Sequence, residues 1–115
     1  MARLNYLELP VSDVPAIKAF YSSAFGWSFT DFGADYAATM TGDTDIGLNG
    51  DPAHMTALLL PAIEVDDLEA AEASVKAAGG EITLAIFAFP GGRRFHFRDP
   101  AGHELGVVQV DPEQS

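Results

Sequence analysis

There is no cysteine in the chain. That excludes disulfides, zinc–thiolate centres and a cysteine nucleophile. Basic residues are scarce, with six Lys and Arg against seventeen Asp and Glu, a formal net charge of −11. Nucleic acids and anionic membranes are held through clustered Lys and Arg, so neither is an expected partner. The acidic excess predicts a solvated coat. No apolar run approaches the ~20 residues of a membrane span, and no basic segment leads into an apolar one at the start. A soluble, cytoplasmic protein is the expectation. There is no Gly-x-Ser-x-Gly and no His-Glu-x-x-His. Pro90-Gly91-Gly92 lacks the length and the Lys of a phosphate-binding loop, so it reads as a turn.

What remains is a chain of 115 residues, 48% hydrophobic, enough for one domain with a true core. Residues 5–11 alternate: Leu7, Leu9 and Val11 share one face, and Tyr6, Glu8 and Pro10 the other, which predicts a strand. Glu8 must then reach solvent or line a cavity. Asp13 is a helix cap, with Pro15 tolerated in the first turn. Val14, Ile17, Phe20, Tyr21, Ala24 and Phe25 form an apolar stripe expected to face a sheet, and Gly26 stops the helix. Trp27, Phe29 and Phe32 suggest a second strand, Tyr36 to Met40 a third, and Ile46 to Leu48 a fourth. A strand is expected over Thr56 to Val65, despite Pro61. Asp66 is expected to cap a helix over 67–78, with Leu68, Ala71, Val75 and Ala78 facing inward and Gly79-Gly80 ending it. Strands at about 81–87, 93–98 and 104–110 complete the chain. The tail DPEQS is expected to fray.

Laying residue n over residue n+54 exposes a repeat. LELPVSDVPAIKAFYSSAFG falls on PAIEVDDLEAAEASVKAAGG, so Asp13 meets Asp67, Val14 meets Leu68 and Gly26 meets Gly80. Later, GDTDIGL resembles GHELGV at an offset of about 59 or 60. Each half reads βαβββ, with module boundaries at 1–51 and 55–111 inside one domain of 1–115. The fold class is α+β, two modules whose sheets pair into a curved cup with the helices outside.

The working surface is expected in the hairpin from Pro90 to Val108. It holds three of the six basic residues and two of the three histidines. Phe95 and Phe97 share one face of a strand and belong to the core, which turns Arg94, His96 and Arg98 the other way. Arg can grip a carboxylate or phosphate in a bidentate way. It can equally pair with the chain's own carboxylates. His96 is a candidate general acid or base, with Glu8 as its partner. Asp99 reads as a turn former, and His103 and His54 as solvated loop residues.

ELPVSD at 8–13, FYSSAFGW at 20–27, AAGG at 77–80 and PGGRRFHFRDPAGHELGV at 90–107 together resemble the glyoxalase / bleomycin-resistance / dioxygenase superfamily, also called vicinal oxygen chelate. The resemblance covers essentially the whole chain. It implies paired βαβββ modules around a cup, usually in a homodimer, and lyase, isomerase or dioxygenase activity in metal-bearing members. It also implies metal ligands on the first and last strands of each half. Those positions here are Tyr6, Gly47, Leu60 and Gly106, none a good divalent-metal ligand.

Three functions stay open. The first is metal-independent binding of a small anionic or aromatic molecule, with Tyr6, Trp27, Tyr36, Arg94 and Glu104 as contacts and no cofactor. The second is a metal-dependent lyase, isomerase or dioxygenase with the ion at a shifted site of Glu8, Glu104 and His96. The third is a metal-free isomerase with Glu8 and His96 as catalytic acid and base.

Overall fold

The computed structural model describes residues 2–111; the residues of the tail after Asp111 lie outside them. Its elements run β1 (Arg3–Pro10), α1 (Val14–Phe25), β2 (Thr30–Asp31), β3 (Tyr36–Ala38), β4 (Asp45–Asn49), β5 (Leu60–Glu64), α2 (Leu68–Ala77), β6 (Glu81–Phe89), β7 (Gly92–Arg98) and β8 (Glu104–Val110). The order βαβββ thus occurs twice, in an α+β fold. Residues 5–60 form one compact unit, and 61–111 with the first residues of β1 form the other. No helix is long and apolar enough to cross a membrane among the described residues.

In the first unit the strands lie in the order β2-β3-β4-β1. β1 and β4 are parallel, with Glu8 opposite Gly47, and β3 and β4 are antiparallel. Val14, Ala37 and Leu48 are buried together, with Leu9, Val11, Ile17 and Phe29 packed on them. The second unit runs β5-β8-β7-β6. β5 and β8 are parallel with Ala62 opposite Gly106, so the first-strand positions repeat at 54 residues and the last-strand positions at 59. Leu68, Phe95 and Val107 form its core, under Val65, Ala71, Val75, Ile82, Ile86 and Phe97. The two cores occupy equivalent places: Val14 matches Leu68, Ala37 matches Phe95 and Leu48 matches Val107. Each large side chain so buried contributes on the order of 2 kcal/mol.

The helix signals held in detail for α1. The Asp13 side chain accepts from the Ala16 amide, and Gly26 closes the helix in the left-handed region at φ 72°. Several expectations are corrected. The cap of α2 is Asp67, whose side chain accepts from the Ala70 amide, and not Asp66. Asp67 is the residue that the repeat pairs with Asp13, so the duplication located the cap better than local pattern did. The α1 stripe does not all face the sheet. Phe20 and Phe25 are 58% and 62% exposed and pack with Tyr21 and Trp27 into a surface aromatic group. Ala78 lies exposed past the end of α2.

Strand limits shift as well. β2 is only two residues long, so Trp27 and Phe29 precede it, and β3 ends before Met40, which is exposed. The strand foreseen from Thr56 begins only at Leu60, with Leu58 and Leu59 exposed. Pro61 sits just ahead of the stretch paired with β8, which begins at Ala62.

Candidate functional site

Glu8 neither reaches solvent nor stands alone. It is 2% exposed in the first unit, on the β1 face opposite Gly47. A buried carboxylate persists only when hydrogen-bonded. Here the Tyr36 hydroxyl donates to its Oε1 at 2.9 Å, and the Asn49 Nδ2 donates to its Oε2 at 3.3 Å. The Tyr6 hydroxyl lies 2.5 Å from that of Tyr36. Burial, followed by the nearby negative charge of Glu8, pushes the Tyr36 phenol far above its ordinary range, so it stays protonated. Asn49 braces the far side: its Oδ1 accepts from the Asp51 amide, and its Nδ2 also reaches the His54 carbonyl.

Gly47 is what lets this cluster close. A Cβ added there would run into both the Tyr6 and the Tyr36 hydroxyls. The two phenols therefore occupy the space of a side chain at position 47. Glycine is required here for close approach, not for backbone conformation.

In the second unit, β7 and β8 set His96 opposite Gly106 and Arg94 opposite Val108. By register, Arg94 is the counterpart of Tyr36 and His96 of Ala38. His96 is buried, and its Nδ1 lies 3.2 Å from Oε2 of Glu104. The Thr83 hydroxyl donates to the same oxygen at 3.0 Å. A carboxylate at Nδ1 fixes the orientation of an imidazole. The guanidinium of Arg94 lies over the rings of Phe87 and Phe89, 5.2 and 5.7 Å from their centroids. Such stacking leaves an arginine oriented rather than mobile.

The structure thus gathers Glu8, Tyr6 and Tyr36 in one unit, and Arg94, His96 and Glu104 in the other. Trp27 joins neither group; it stacks on Tyr21 at 5.5 Å. Two other arginines serve the acidic coat: Arg93 grips Glu69 with both terminal nitrogens, and Arg98 meets Glu81. Asp99 is the expected turn former, accepting from the Ala101 and His103 amides, and His103 and His54 are exposed. Sequence reasoning missed Asn49, Thr83, Phe87 and Phe89. Asn49 was detectable, because it alternates with Gly47 on one face of β4.

Two βαβββ modules with a polar residue cluster on the first strand of one define a class of protein, and the chain itself can be placed within it. A model of the Glyoxalase/Bleomycin resistance protein/Dioxygenase superfamily matches residues 3–107, and the chain belongs to that superfamily. Proteins named "Putative glyoxylase CFP32" from Mycobacterium bovis and Mycobacterium tuberculosis are 30% identical over 118 residues. The match takes in 93% of this chain but 45% of theirs, so the chain spans about half the length of these curated relatives. Among solved structures, a hypothetical protein of Bacillus halodurans superposes with a TM-score of 0.80 at 13% identity, covering 99% of this chain and 98% of that one. A Mn(II)-bound glyoxalase of Novosphingobium aromaticivorans superposes at 0.68 with 23% identity, covering 100% of this chain and 44% of that one. These likenesses concern the fold.

The residues at positions 6, 47, 60 and 106 do not fit a divalent ion. Leu60 is buried and apolar, two positions are glycine, and one of those is filled by phenol hydroxyls. Both oxygens of Glu8 already accept hydrogen bonds from neighbours. Among the described residues no group of three or more His, Cys, Asp or Glu could hold a metal.

Proposed function

We propose that the chain binds a small aromatic or anionic molecule without a divalent metal at the superfamily's usual positions. The observation that supports this is the filling of the space at Gly47 by the Tyr6 and Tyr36 hydroxyls. Where metal-bearing relatives would present a ligand, this chain presents hydrogen-bonding phenols backed by a buried carboxylate. In the other unit, Arg94 and His96 supply the groups suited to an anion. Thermal shift against a panel of small phenols and aromatic acids tests the proposal. Stabilisation by a panel member should survive exhaustive chelation. Binding that appears only when manganese, nickel, zinc or iron is supplied would overturn it.

The pairing of His96 with Glu104 favours a second reading, an acid–base isomerase, because an imidazole oriented by a carboxylate is poised for proton transfer. For that reading, His96→Gln should abolish solvent-deuterium incorporation into a bound carbon acid, measured at saturating ligand. Incorporation at an undiminished rate would dismiss it.

A further inference from the structure

The two helices of the repeat differ on their exposed faces. On α1, Phe20 and Phe25 are 58% and 62% exposed, and Trp27, just past the helix, is 41% exposed. With Tyr21 they form one aromatic group whose neighbouring ring centroids lie 5.1 to 6.2 Å apart. At the 54-residue offset their counterparts are Ser74 for Phe20, Gly79 for Phe25 and Glu81 for Trp27. The second module forms the same βαβββ order without those three rings, so the fold does not require them. Tyr21 differs: it is half-buried, and its counterpart Val75 packs on the second core. Charge is also missing around the group. Residues 19–30 hold no Asp, Glu, Lys, Arg or His in a chain of net charge −11. Lys18, the one charged residue of α1, is engaged by Asp31 at 2.7 Å.

We propose that this aromatic face docks a second copy of the chain, ring against ring about a two-fold axis. The proposal is independent of the small-molecule reading above. Exposed aromatic surface gains free energy on leaving water, and stacked or edge-to-face rings add to the gain. Charge selects the occupant. A basic partner would settle on carboxylates, which residues 19–30 lack. An anionic membrane is repelled by the acidic excess, and the last turn of α1 has no basic residue to hold one. A second copy brings an identical neutral face, whereas elsewhere the acidic coats of two copies repel. The exposed parts of the three rings come to roughly 350 Å² per copy. That is below the ~800 Å² per partner of a stable complex, so the contact is weak, with half-association on the order of 100 µM.

Sedimentation from about 5 µM to about 1 mM tests the contact, with Trp27, the chain's single tryptophan, as a fluorescent reporter. The expected result is a reversible dimer whose formation shifts Trp27 emission to the blue. Phe20→Ser and Trp27→Glu copy what the second module carries at those places, and each should weaken the dimer about tenfold or more. Leu58→Ser, at a 78% exposed leucine of the same unit, should leave it unchanged. Two readouts need no variant: the emission shift, and the effect of salt. Because the acidic coats oppose contact, raising NaCl from ~20 mM to ~500 mM should tighten the dimer several-fold. A monomer throughout the range, a dimer that leaves Trp27 emission unchanged, a dimer that Phe20→Ser does not weaken, or one that salt loosens would each overturn the proposal. So would a blue shift on neutral phosphatidylcholine vesicles without self-association, which would assign the face to a lipid surface.

Discussion

The hydroxyl of Tyr36 donates to Oε1 of Glu8 across 2.9 Å, joining β3 to β1 through a part-buried pair 28 residues apart in sequence. The bond is held from behind by Asn49 and in front by Tyr6. Removing the carboxylate leaves two buried donors without their acceptor. Glu8→Ala should therefore cost about 1–3 kcal/mol for each donor so stranded, read as a lower midpoint in urea unfolding. A loss within the error of the measurement would show that Glu8 is not bound as described.

Gly47→Ala should destabilise by about 1–3 kcal/mol, because the added methyl must force the two hydroxyls apart. The clash involves the hydroxyls, so shortening both tyrosines to Phe should relieve part of it. In a double-mutant cycle the triple variant should be more stable than the sum of the separate losses. Simple additivity would place the strain elsewhere.

Alkaline pH should reveal Tyr36. Its phenol is raised far above the ordinary value of 10.0, by burial first and by the charge of Glu8 next. Below pH 10 the folded and unfolded phenols both keep their proton, and this group adds no pH dependence. Above it the unfolded phenol releases its proton while the folded one retains it. The unfolded state then binds fewer protons, so stability falls as pH rises. Tyr36 should ionise only as the chain unfolds, measured by ultraviolet absorbance alongside circular dichroism. In Glu8→Gln that delayed step should move toward lower pH.

Asp67→Ala should lower stability by about 1 kcal/mol through loss of the α2 cap. Asp66→Ala, one residue earlier, should cost less, because α2 keeps its Asp67 cap. Chemical denaturation of both variants checks the assignment. The reverse ranking would return the cap to Asp66.

Local chemistry made much of this protein legible. Asp13, Pro15 and Gly26 announced α1 to the residue, because capping is decided within one turn of chain. Alternation placed Phe95 and Phe97 on the core side and His96 on the other, since side-chain direction in a strand has period two. Local pattern failed where competing choices were nearly equal. Asp66 and Asp67 are chemically identical caps, and only the packing of Leu68 into the core chooses between them. The α1 stripe was misjudged because only its N-terminal part packs on the core. Val14 and Ile17 find partners, while Phe20 and Phe25 are left outside with Trp27.

The sequence by itself determined the duplication, the α+β fold and the superfamily, because these rest on capping residues, period-two strands and a 54-residue repeat carried in the order of the letters. It also determined which residues stand at positions 6, 47, 60 and 106. The tertiary structure decided what Glu8 is bonded to, that Trp27 packs apart from Tyr6 and Tyr36, and that Gly47 is a space for two hydroxyls. The Glu8 and Gly47 contacts depend on β4 lying between β1 and β3, which brings together residues 28 to 41 positions apart. A hydrogen bond needs its partners placed to a few tenths of an ångström, and strand pairing, rather than any local preference, sets that distance.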